Sequence, residues 1–135
     1  MKIYIPEKTE KYQITMGIMP GYGDQEDPLI DQVQFLNIVR ETQYMVEKEY
    51  GLFISFNIWP SVVQYKPEWG CPILGEPIYT LECTRNPKFN RAEQLYKRCV
   101  LVFAEKLQDT LKQCTVTVTC SPVDVYYLTQ KEGNE

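Results

Sequence analysis

Apolar and polar positions alternate from Tyr12 to Ile18, with Tyr12, Ile14, Met16 and Ile18 on one side and Gln13 and Thr15 on the other. A period of two predicts a half-buried strand. Pro20-Gly21-Tyr22-Gly23 interrupts it, and Asp27-Pro28 supplies a cap and a first-turn proline for a helix. At about 100° per residue, Leu29, Val33, Leu36, Val39, Val46 and Tyr50 share one face of that helix. Gly51 suits its left-handed end. Alternation returns at Leu52–Trp59, where Leu52, Ile54, Phe56 and Ile58 oppose Phe53, Ser55, Asn57 and Trp59. It returns again at Ile78–Thr84, with Tyr79, Leu81 and Cys83 opposite Thr80, Glu82 and Thr84.

Asn90-Arg91-Ala92-Glu93 matches a capping box, and Ala92, Leu95, Tyr96, Cys99, Val102, Phe103 and Leu107 form the stripe of a second helix ending near Lys112. Thr115–Cys120 reads as a strand, threonines outward and Val116, Val118 and Cys120 inward. Val123–Leu128 suggests a further short strand, and residues 130–135 a polar tail. Four of the nine prolines lie between Pro60 and Pro77, which reads as a long proline-rich loop. The order β-α-β-β-α-β is the ferredoxin-like pattern. It predicts a single α+β domain over residues 1–135: an antiparallel sheet with two helices on one face, and a proline-rich insertion (60–77) between the middle strands.

Composition narrows the function more by exclusion than by assignment. The chain of 135 residues is 44% hydrophobic and 24% charged, enough for one core of its own. A net charge of −4 argues against a nucleic-acid polymer as partner. There is no histidine, so Ser-His-Asp triads, Cys-His dyads and histidine-ligated metal sites are excluded. The five cysteines are odd in number and lack CxxC spacing, which predicts reduced, mostly buried thiols and a cytoplasmic setting. No apolar run approaches the roughly 18 residues of a membrane span.

Two helices cover one side of a sheet, so Gln13, Thr15, Phe53, Ser55, Asn57, Trp59, Thr80, Glu82, Thr84 and the threonines 115, 117 and 119 fall on an uncovered side. That side can be solvated, can pair with another copy, or can serve as a ligand platform. Ile38, Met45 and Leu101, on the outer sides of the helices, add to the case for a homo-oligomer. The segment from Arg85 to Arg91 leaves a strand and enters a helix N-terminus, where anions are favoured, and carries three cations within seven residues. Arg85, Lys88, Asn90 and Arg91 are therefore the expected charge-holding residues, with Trp59, Trp69 and Tyr79 as a stacking surface.

The function expected from this set is non-catalytic binding of a small anionic, ring-bearing, nucleotide-like ligand, with no cofactor and no metal. The Gly21–Asp27 loop is too acidic for phosphate and lacks the calcium-loop spacing. The second reading is a protein–protein interaction, assembly or inhibitor module acting through a sheet edge or the proline-rich loop. The third is an acid–base enzyme using Glu82, with Asp24 and Cys71 as lesser candidates.

Overall fold

Seven elements follow one another in the computed structural model, which describes residues 3–18, 30–113 and 115–128. They are strand β1 (Glu7–Gly17), helix α1 (Gln32–Tyr50), strand β2 (Asn57–Val63), a 3₁₀ turn (Pro67–Trp69), strand β3 (Glu76–Thr84), helix α2 (Glu93–Leu111) and strand β4 (Thr117–Val125). The sheet runs β2-β3-β1-β4 with every neighbouring pair antiparallel. This is the ferredoxin-like α+β arrangement.

Alternation decides which side each strand presents. Tyr12, Ile14, Met16, Tyr79, Leu81 and Cys83 are buried on the helix side with Cys99, Phe103 and Leu107. Three aromatic contacts knit the layers. Phe35 of α1 stacks on Tyr79 of β3 with centroids 4.0 Å apart, Phe56 meets Phe103 at 4.5 Å, and Tyr12 meets Tyr96 at 5.7 Å. Burial pushes the Cys83 thiol up to about 11, and raises the Cys99 thiol and the Tyr96 hydroxyl as well. Among the described cysteines, Cys83 and Cys99 are buried, Cys71 is half-buried and Cys120 is exposed.

The elements differ from the expected ones in phase and boundary. Helix α1 starts at Asp31, whose carboxylate accepts from the Gln34 N–H at 2.8 Å while the Gln34 side chain accepts from the Asp31 N–H. The expected Asp27-Pro28 opening lies outside the described residues, as do the acidic loop Gly21–Asp27 and the polar tail 130–135. The buried face of α1 is Phe35, Val39, Thr42 and Val46, so Val33 is 68% exposed. The stack on Tyr79 rotates the helix to seat Phe35, the larger side chain.

Helix α2 has Ala92 at its cap with no side-chain hydrogen bond, so the Asn90 capping box does not form. Strand β2 continues through Pro60 to Val63, which an edge strand tolerates because its outer N–H groups need no partner. The proline-rich loop therefore shrinks to residues 64–75, at the end of a long β2–β3 hairpin. Strand β4 is continuous through Pro122 and merges two expected strands, again on an edge.

One buried ion pair fastens the bottom of the sheet to the start of α2. Arg85 Nε and Nη2 donate to the two carboxylate oxygens of Glu10, each at 2.8 Å, and Nη1 donates to the Asn90 carbonyl at 2.9 Å. The Arg85 N–H donates to the Glu10 carbonyl and Thr9 Oγ1 to the Arg85 carbonyl, at 3.0 and 2.7 Å. The two side chains are only 8% and 15% exposed. The guanidinium hydrogen bonds hold the Glu10 carboxyl below the usual carboxylate range.

Removing one partner of such a pair strands a buried charge, at about 3–5 kcal/mol. Arg85→Ala is expected to lower the unfolding free energy at pH 7 by about that amount in urea titrations. Because the folded-state pKa of Glu10 is depressed, the pair stabilises fully above the unfolded value of about 4.3 and is lost as pH falls below it. The variant should therefore lose less stability in acid than the parent. Equal stability of the two proteins at pH 7 would remove the pair from this role.

Candidate functional site

The side of the sheet facing away from α1 and α2 carries two cross-strand rows. Register sets Thr119, Gln13, Glu82 and Asn57 side by side across β4, β1, β3 and β2. The next row is Thr117, Thr15, Thr80 and Trp59. Directly opposed side chains lie about 5 Å apart and diagonal ones about 7–8 Å, so Glu82 and Trp59 bracket a single patch. Trp59 is 38% exposed and overlies the edge of this patch, where Thr80 is 7% exposed.

Glu82 sits in the middle of the platform, with its Oε1 3.9 Å from Lys11 Nζ. Both groups are partly exposed, and a pair of that length is worth at most about 1 kcal/mol. A ligand cation can therefore replace Lys11 at Glu82 at little cost. The hydroxyls of Thr15, Thr80 and Thr117 and the amides of Gln13 and Asn57 surround it with neutral donors and acceptors. The patch can hold a planar ring over Trp59 and a cationic group at Glu82. Depressions of about 270, 470 and 420 Å³ lie elsewhere, along β1–β4 and on α2, and none is lined by Trp59 or Glu82.

A second carboxylate, absent from the expected site, stands at the far end of the same face. Glu76 Oε1 accepts from the Tyr65 hydroxyl at 2.9 Å. Its other oxygen occupies the space beside Gly17 that a β-carbon would fill, together with Gln113 Oε1. The signal was available: an isolated glycine closing an alternating strand marks a close approach.

The seven expected ligand-binding residues do not converge. Arg85 is committed to Glu10 and Asn90, and Asn90 contributes its backbone carbonyl to that link. Lys88 lies 3.9 Å from Glu7 and 4.7 Å from the Tyr127 ring, and Arg91 is exposed. Tyr79 faces the helices and is stacked on Phe35. Trp69, 69% exposed, stands at the tip of the β2–β3 hairpin with Lys66 Nζ 5.8 Å from its ring. Thr80, the partner of Trp59, is five residues of β3 from Arg85, about 17 Å. Of the seven, Trp59 is on the platform.

Among the described residues, no group of three or more His, Cys, Asp or Glu side chains is placed to hold a metal ion. Nor is any helix long and apolar enough to cross a membrane.

Comparison with known proteins decides the class. No curated protein sequence matches the chain. A family model described as SAM lyase matches residues 7–129. The chain belongs to the SAM lyase family. The expected non-catalytic function, and the leaning away from an enzyme, are thereby overturned: the family is one of catalysts.

Two solved structures share the fold of this SAM lyase family member. A phage SAM lyase in its apo state aligns with a TM-score of 0.63 at 11% identity, covering 97% of this chain and 99% of that one. A phage SAM lyase in complex with S-methyl-5′-thioadenosine aligns with a TM-score of 0.53 at 14% identity, covering 88% and 90%. At such identities the likeness is one of fold.

The Gly17 pocket makes a separable prediction. Gly17→Ala meets only the ends of two flexible side chains, so the melting temperature should stay within a few degrees while Glu76 is pushed off Tyr65. A large drop in melting temperature would mean that the strand itself needs glycine there.

Proposed function

We propose that this protein cleaves S-adenosylmethionine, releasing 5′-methylthioadenosine, on the uncovered face of its sheet. The observation that carries this reading is the family match over residues 7–129. The substrate joins an adenine ring to a sulfonium and an amino-acid end, with a net positive charge. It shares the ring with the nucleotide-like ligand expected from sequence, but its charge has the opposite sign. A chain of net charge −4 attracts such a cation.

The chemistry asks little of the protein. The bond between sulfur and the four-carbon amino-acid fragment breaks, and its electron pair stays on sulfur, which becomes a neutral thioether. The fragment makes good the lost bond from within itself, by losing a proton or by closing on its own carboxylate, since a lyase adds no water. A neutral leaving group requires no general acid. Positive charge disappears from sulfur in the transition state, so a carboxylate held against the sulfonium would favour the ground state and slow the step.

Glu82 is therefore assigned to the substrate's ammonium group, Trp59 to the adenine, and the uncharged threonines between them to the region of the sulfonium. The expected cations Arg85, Lys88 and Arg91 lie away from this face and are assigned no contact with the substrate.

The working form is a homo-oligomer in a reducing, cytoplasmic setting. Ligands of this size are usually some 70–90% buried, and a flat platform covers one side of its ligand. Val33, Met45 and Leu101 leave apolar surface for another copy, at 68%, 52% and 45% exposure.

Incubation of purified protein with S-adenosylmethionine, followed by liquid chromatography and mass spectrometry, should yield methylthioadenosine in excess of the spontaneous rate. Glu82→Gln removes a charge-assisted hydrogen bond worth about 1.5–3 kcal/mol, so kcat/KM should fall roughly 10–150-fold with much of the loss in KM. Trp59→Ala should weaken methylthioadenosine binding by a stacking contribution of about 1–3 kcal/mol. No product above background would refute the activity, and full activity in both variants would refute this placement of the site.

A further inference from the structure

Strand register puts a single cation on the uncovered face. Among the strand residues that share this face with Gln13, Thr80 and Trp59, Lys11 is the only basic one, and the acids are Glu7, Glu76 and Glu82. Glu7 lies 3.9 Å from Lys88, and Glu76 accepts from the Tyr65 hydroxyl. Lys11 falls to Glu82. The two are diagonal neighbours, because Lys11 is level with Thr84 and Gln13 with Glu82.

Their contact is loose. Lys11 Nζ and Glu82 Oε1 are 3.9 Å apart, longer than a hydrogen bond, and the side chains are 39% and 25% exposed. The Arg85–Glu10 pair, at 2.8 Å and with side chains 8% and 15% exposed, shows the contrast. That pair is locked into the fold, whereas Lys11 and Glu82 stand over the sheet with opposite charges and can exchange partners at little cost. An α-amino acid carries the same two charges on one carbon. Set against the pair, its ammonium meets Glu82 and its carboxylate meets Lys11, so one loose contact becomes two charge-assisted hydrogen bonds and no charge is left alone.

Position along the sheet favours the same occupant. Lys11 is level with Thr84 and Trp59 with Thr80, so the two rows are four residues of β3, about 13 Å, apart. A ligand with its ring over Trp59 and an extended chain directed past Glu82 ends beside Lys11. Thr84 and Ser121, level with Lys11 on either side, carry no charge to compete for it.

We infer that Lys11 binds the carboxylate of the substrate's amino-acid end and forms with Glu82 a clamp that selects nucleosides bearing a complete α-amino acid. That role rests on the placement of the site proposed above. Indole and clamp then fix the two ends of the substrate and leave its sulfonium over Thr15 and Thr80, away from any fixed charge.

Three unreactive ligands test the clamp by titration calorimetry at pH 7. S-adenosylhomocysteine keeps the amino-acid end on a neutral sulfur, its decarboxylated analogue keeps only the ammonium, and methylthioadenosine has neither. The parent should bind S-adenosylhomocysteine most tightly. Lys11→Met should weaken that ligand roughly tenfold, leave methylthioadenosine within about twofold, and bind the decarboxylated analogue no worse than the parent does. Lys11→Arg should recover most of the loss. Unchanged binding of S-adenosylhomocysteine by Lys11→Met, or equal weakening of all three ligands, would overturn the clamp. Trp59→Ala and Glu82→Gln separate this from the site itself. If they weaken binding while Lys11→Met does not, the site stands and the clamp falls. If they change no ligand, or if the parent binds none of the three, both fall.

Discussion

Two helices can shield one face of a four-stranded sheet, and the architecture follows from that limit. On the shielded side, β1 and β3 bury Tyr12, Ile14, Met16, Tyr79 and Leu81 to 6% exposure or less. Because side chains alternate along a strand, the same ladder fixes what stands on the other side. Gln13, Thr15, Thr80 and Glu82 cannot leave that face without pulling the core residues out of the core, since a one-residue slip would invert both. A polar platform with a tryptophan at its rim is thus held in place by the packing of its opposite face.

That coupling explains which parts of the molecule were legible. Alternation and turn residues are local, and they were enough for the element order, the sheet class and the two faces. The phase of α1 depended on a partner distant in sequence: Val33 and Leu36 fit the stripe as well as Phe35 does, until Tyr79 is there to stack on Phe35. Arg85 misled for a similar reason. Three cations in a short loop read as an anion site, but the carboxylate that takes up Arg85 is Glu10, 75 residues earlier, brought alongside by strand pairing. Asn90 looked like a cap, yet its carbonyl is the third acceptor of that same guanidinium. The expected thiols were mostly buried, whereas Cys71 and Cys120 are not, because one lies on the hairpin loop and the other on an edge strand.

The enzyme was hidden by the kind of chemistry it belongs to. Lacking histidine, the chain has none of the familiar nucleophile–base pairs, and that absence reads as a binding protein. A sulfonium carries its own activation: its departure yields a neutral thioether, so holding and orienting the substrate supplies much of the catalysis. The proposed site resembles a binding platform in composition, with threonines, two amides, one carboxylate and one indole. Glu82 and Trp59 stood out in the sequence for separate reasons, and only the register between β2 and β3 makes them neighbours.

The claim that this face is the reactive one is tested most directly by a crystal structure of the protein with methylthioadenosine. The adenine should lie against Trp59, with the thioether directed across Thr80 toward Glu82. A nucleoside seated at the Arg85–Arg91 loop or the hairpin tip, away from both residues, would contradict the account.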